Sequence, residues 1–149
     1  MGNMKDNPKN PVSYIIRYPH LQTEKLCLLA LQKDLHKSIN HIKIFSKDIQ
    51  EYIAYEYPIY LGKIPTPLES TLDIIFNRGL WYQFNFFTTI PVEYVKKYLD
   101  AESFSIKYLY KHATEEMAAN VIKKSGDVYY SILEPSEELT RLQKILWEV

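Results

Sequence analysis

Apolar residues recur at intervals of three and four along most of this chain, and Pro19, Pro58, Pro91 and Pro135 cut that pattern into short runs. A chain punctuated in this way builds short helices and turns that each bury one face. No apolar run reaches the roughly 20 residues that cross a bilayer, and no charged-then-apolar leader opens the chain, so the expected location is the cytoplasm, with no membrane involved. At 149 residues, 46% hydrophobic and 24% charged, the chain is one domain's worth of sequence and has enough apolar surface for a real core. Eighteen Lys/Arg balance eighteen Asp/Glu, which excludes a strongly basic coating but not a local basic patch. The single cysteine, Cys27, rules out a disulfide framework and a Cys-based zinc site.

Residues 1–11 are polar and read as a mobile terminus. Val12 to Tyr18 reads as a short strand or extended entry. Thr23 caps a helix with Glu24 in its first turn and Leu28, Leu31, Leu35, Ile39 and Ile42 along one side. Ile49 to Glu56 predicts a second helix and residues 57–67 a loop. Thr66-Pro67-Leu68-Glu69 is a capping box ahead of Leu72, Ile75 and Phe76, and Asn77-Arg78-Gly79 is a stop signal. Leu80 to Ile90 is dense in aromatics and fits either a strand or a buried helix. Its interleaving residues are Gln83 and Asn85 rather than cations, so core packing is favoured over base stacking. Pro91 opens a further helix, and Phe104 to His112 reads as a short one. No internal repeat is evident. Residues 1–47 carry eight Lys/Arg and three Asp/Glu, and residues 48–149 carry ten and fifteen. Solvated faces of opposite sign are favoured over an N-terminal arm that touches phosphates or an acidic partner, because the excess is spread over a whole helix pattern.

Catalytic patterns are missing. Four scattered glycines make no phosphate loop, and His20, His36, His41 and His112 have no ligand spacing. Cys27 sits in an apolar run and reads as a small buried hydrophobe. The Glu115-Glu116 and Glu137-Glu138 pairs fall where helices would begin, and the helix dipole explains them.

Residues 121–149 carry the most specific signal. Val121 and Ile122 read as the end of a strand, Ser125-Gly126-Asp127 as a turn with Gly126 at positive φ, and Val128 to Leu133 as a second strand. Pro135 ends that strand, Ser136 caps a helix, and Leu139, Leu142, Ile145, Leu146 and Val149 form its apolar face. The expected class is α+β: mostly helical, with a C-terminal β-hairpin followed by a helix.

This order of features resembles the entry into bacterial reverse transcriptases of the retron, group II intron and phage-defence types. Lys123-Lys124-Ser125-Gly126, Ile132, Pro135 and Leu139-x-x-Leu142-Gln143 fit that pattern over about thirty residues, and Tyr130 departs from it where the family commonly has Arg. The resemblance divides the chain into an N-terminal, mainly helical region, residues 1–90, and a fingers-like entry, residues 91–149. It implies binding of RNA or an RNA/DNA hybrid, self-association, and a role in antiphage defence. Lys123 and Lys124 are the phosphate contacts it points to, with Arg141 and Lys144 on the following helix as further ones. The family's catalytic aspartates, which fix two Mg²⁺ ions, include a Tyr-x-Asp-Asp motif absent from this sequence. The chain is therefore not expected to polymerise alone or to hold a cofactor, although a full-length parent would use Mg²⁺. The other reading is a stand-alone protein-binding module, such as a toxin immunity protein or a phage-encoded inhibitor, in keeping with its 13 tyrosines.

Overall fold

The computed structural model describes residues 9–148, so Val149 and residues 1–8 of the polar start lie outside it. Nine helices are described: α1 (Pro11–Arg17), α2 (Glu24–Lys33), α3 (Leu35–Ser38), α4 (Lys47–Glu56), α5 (Glu69–Asn77), α6 (Val92–Ala101), α7 (Ile106–Leu109), α8 (Glu115–Lys124) and α9 (Glu137–Trp147). Short 3₁₀ segments join them, and among the described residues there is no strand. The fold class is all-α, which corrects the α+β expectation.

The expected hairpin is the end of a helix followed by a tight turn. Thr114 caps α8 by accepting the Met117 amide at 3.2 Å, and Glu115 and Glu116 complement the helix N-terminus. Ala118, Val121 and Ile122 then share one buried face, so the helix runs through Lys123 and Lys124 instead of giving way to a strand. Gly126–Ser131 winds into a 3₁₀ helix, with Ser131 Oγ donating to the Val128 carbonyl at 2.6 Å. Strand-forming residues such as Val128 and Tyr129 follow tertiary context more than intrinsic preference, and here no neighbouring strand offers them a ladder. Val12 to Tyr18 is corrected in the same way. Asn10 caps α1 by accepting the Ser13 amide, with Pro11 at the first helical position.

Other local signals hold. Thr23 and Ser136 cap α2 and α9. Gly79, with φ +70°, ends α5 in a Schellman arrangement: the Leu80 amide donates to Ile75 O and the Gly79 amide to Phe76 O, each at 3.1 Å. The capping box opened by Thr66 is corrected: helix α5 begins at Glu69 with Leu68 at the cap, two residues further on, and without a side-chain cap hydrogen bond.

The caps also reveal a repeat. Thr23, Ser46, Leu68, Pro91, Thr114 and Ser136 precede α2, α4, α5, α6, α8 and α9 and follow one another at intervals of 22 or 23 residues. A shorter helix or 3₁₀ segment follows each of the first five, beginning at Leu35, Pro58, Trp81, Ser103 and Gly126. Counted from the cap, the seventh residue is buried every time: Ala30, Ile53, Ile75, Tyr98, Val121 and Gln143. The eighth is apolar five times (Leu31, Ala54, Phe76, Leu99, Ile122) and is the exposed Lys144 in α9. A motif this short cannot bury its own apolar face alone and needs a neighbour to stack on.

The chain forms two compact units, one ending at Ile64 and one beginning at Pro65. In the first, α1 packs on α2 and α2 on α4. Its core includes Ile15, Leu26, Cys27, Ile49 and Ile53. Burial pushes the Cys27 thiol up to about 11, against a partial offset from the Ile44 backbone, which keeps it a poor nucleophile. In the second unit the long helices pack in chain order, α5 on α6, α6 on α8 and α8 on α9. The short elements form another layer, with Trp81–Phe86 on α7 and α7 on Gly126–Ser131. Phe84 and Phe87 are buried there, as core packing of the aromatic cluster requires.

Candidate functional site

Of the four cations singled out by the sequence, Lys123 and Lys124 line separate crevices. Consecutive helical residues diverge by about 100°. Lys123 lines a crevice of about 320 Å³ between α8 and α9, beside Glu115, Glu116 and Glu138. Lys124 lines the crevice between α6 and α8, where its ammonium lies 3.9 Å from Asp100. Arg141 and Lys144 are exposed on α9. Lys124 therefore has a carboxylate of its own fold within reach, and Lys123 shares its crevice with three glutamates without an ion pair to any of them within 4.0 Å.

A different concavity is larger. A groove of about 710 Å³ runs across three successive repeats of the second unit. The Trp81–Phe86 segment gives it Asn85. Helix α7 and the Tyr110–His112 turn supply Lys107, Tyr108, Tyr110 and Lys111, and the turn after Gly126–Ser131 supplies Leu133 and Glu134.

Hydrogen bonds between repeats hold these walls. Lys111 Nζ donates to the Asn85 carbonyl at 2.8 Å, and the Ser136 amide donates to Tyr110 Oη at 2.9 Å. His112 Nε2 lies 3.2 Å from the Phe84 carbonyl and donates to it. Lys107 Nζ sits 5.4 Å from the centre of the Tyr108 ring. Leu133 is 91% exposed on the rim. The signal that marks the site is Lys107-Tyr108-Leu109-Tyr110-Lys111, two cations enclosing two aromatics around the buried Leu109.

Burial lowers the His112 pKa, with Lys111 adding to the effect and the Phe84 carbonyl opposing it. The unfolded chain then takes up a proton below about pH 6.5 that the folded chain refuses. The contribution of neutral His112 to stability is complete above that value and is lost as pH falls from it towards the lower folded pKa. A fall in melting temperature between pH 7 and 5 is expected, less steep in His112→Gln. Parallel profiles for the two proteins would show that His112 is not linked to folding.

The groove has the chemistry of binding: ammonium groups, phenol rings and an exposed leucine. Among the described residues no three of His, Cys, Asp and Glu converge as a metal-ligand set, and no helix is long and apolar enough to cross a membrane. Comparison with protein-family models, with curated proteins and with solved structures finds no match.

Proposed function

We propose that this chain is a non-catalytic, protein-binding module of helical repeats acting in the cytoplasm. The observation that carries this reading is the interval of 22 or 23 residues between helix caps, together with the chain-order packing of the second unit. Stacked repeats make extended surfaces on which equivalent positions of neighbouring motifs line up, the architecture of a binding scaffold. The groove of about 710 Å³ falls on such equivalent positions and includes two tyrosines, which give contact area at low entropic cost. The RNA-binding reading drew its mechanism from paired ammonium groups on a hairpin tip. With Lys123 and Lys124 on a helix and in separate crevices beside carboxylates, less supports that mechanism.

The two readings separate in a titration of labelled 20-nucleotide single-stranded RNA at two salt concentrations. Affinity no tighter than the non-specific range, about 10⁻⁴–10⁻⁶ M, is expected. The salt slope should be the same in the variant carrying Lys123→Glu and Lys124→Glu. Tight binding whose salt slope flattens in that variant would replace the protein-binding reading with the nucleic-acid one.

A further inference from the structure

Two ammonium groups on the groove wall are available to a ligand. Lys107 and Lys111 are four residues apart, and among the described residues neither has a carboxylate within 4.0 Å. Lys107 rests on its neighbour's ring, and Lys111 is oriented by a neutral carbonyl. Around them Tyr108, Tyr110 and the exposed Leu133 offer apolar surface.

The length of the ligand follows from the repeat. Packed helices lie about 8–10 Å apart. Crossing from the first to the third repeat therefore covers roughly 20 Å, which an extended chain rising about 3.3 Å per residue spans in about six residues.

Its charge follows from the walls. From Pro65 onward the chain carries nine Lys/Arg against twelve Asp/Glu, a net of −3, and Glu134 stands on the groove itself. A nucleic-acid strand would bring a phosphate at every nucleotide into that field. A segment with a single carboxylate placed at the two lysines brings only one negative charge into it.

We infer that the groove seats an extended acidic segment of a partner protein, about six residues long, with one Asp or Glu side chain at Lys107 and Lys111 and apolar side chains against Tyr108 and Leu133. This rests on the protein-binding reading and adds to it the place and chemistry of the ligand.

The test is selection of a phage-displayed library of random dodecapeptides on the full chain, followed by titration of synthetic copies of the enriched peptides. Enriched sequences should carry an acidic residue flanked by Leu, Phe or Tyr. The variant with Lys107→Glu and Lys111→Glu should bind them about tenfold or more weakly, as expected for loss of a close charge pair. Lys107→Arg with Lys111→Arg should retain binding, and Lys123→Glu should leave it unchanged. Leu133→Ser, at a position too exposed to affect folding, should also weaken it. Circular dichroism confirms that each variant is folded. Peptides that bind but ignore both the charge reversal and Leu133→Ser overturn the groove assignment and leave the protein-binding reading standing. Failure to enrich any peptide overturns both. Binding of the 20-nucleotide RNA that the charge reversal abolishes overturns the inference in favour of a nucleic-acid ligand.

Discussion

Tyr98→Ala should be the most destabilising single substitution in the second unit, at about 3–5 kcal/mol by the usual cost of deleting a buried aromatic side chain. The ring is 1% exposed and stacks on Phe76 and Phe84, with centroids 4.7 and 5.5 Å away. It thereby joins the long helices to the short-element layer. Its hydroxyl donates to Asp73 at 2.6 Å, and Lys97 bridges Asp73 and Glu69 at 2.9 and 2.7 Å. Burial keeps the phenol protonated, and the adjacent Asp73 carboxylate adds to that. Tyr98→Phe separates the two contributions. It keeps the packing and removes one hydrogen bond to a charged acceptor, a loss of about 1.5–3 kcal/mol at most, because the partly exposed Asp73 regains water.

The acid limb checks the assignment. Burial works against ionisation of Asp73, but the bonds from Tyr98 and Lys97 outweigh it and hold the carboxyl below its ordinary value. The stability from ionised Asp73 is therefore present above the unfolded carboxyl value of about 3.9 and is lost as pH falls through the lower folded one. Urea unfolding at pH 7 should show the gap between the parent protein and Tyr98→Phe, and at pH 3 the gap should narrow. A cost under about 1 kcal/mol for Tyr98→Ala would mean that the aromatic stack does not hold the layers together.

Gly126→Ala is expected to cost about 1–3 kcal/mol, the usual penalty for forcing an atom into filled space. A Cβ at this position would lie inside the van der Waals surface of the Trp147 ring, at the atoms nearest its attachment. The indole N–H donates to the Ile122 carbonyl at 2.8 Å, satisfying one of the open acceptors at the end of α8. The methyl group must displace the ring and break that bond, which a red shift in tryptophan emission would report. The decisive comparison uses Trp147→Ala as background. Gly126 does not need positive φ, so with the ring gone alanine should be neutral, or stabilising by up to about 1 kcal/mol through the unfolded state. An unchanged cost in that background would show that the indole is not the obstacle.

Gly126 also marks where sequence reasoning met its limit. A glycine between Ser125 and Asp127 looks like a turn residue, because flexibility is the property of glycine that a sequence displays. Here its use is the missing side chain, and what it makes room for lies 21 residues further on. Caps and stops were legible because they act within one turn: Thr23, Ser136 and the Asn77-Arg78-Gly79 terminus behave as their chemistry dictates. The repeat was not legible, since its copies share burial and not identity. The seventh position alone holds Ala30, Ile53, Ile75, Tyr98, Val121 and Gln143. Of the groove, the Lys107-to-Lys111 pentad could have been found from its alternation of cation and aromatic. Asn85 and Leu133 could not, because only the stacking of three repeats brings them to it.

The chain-order packing of the second unit has a kinetic consequence. Docking each long helix on its predecessor closes a loop of only about 22 residues, and closure entropy grows as the logarithm of loop length. That is about 1 kcal/mol cheaper than bringing together the ends of the whole unit. Structure can therefore grow by zippering from one motif to the next, with fast folding and a low barrier to partial opening. Melting should begin at α9, which buries only Leu139 and Gln143 and carries Lys144 where the other motifs have an apolar residue. Its amides should be the first of the long-helix amides in this unit to exchange with deuterium, ahead of those in α6 and α8.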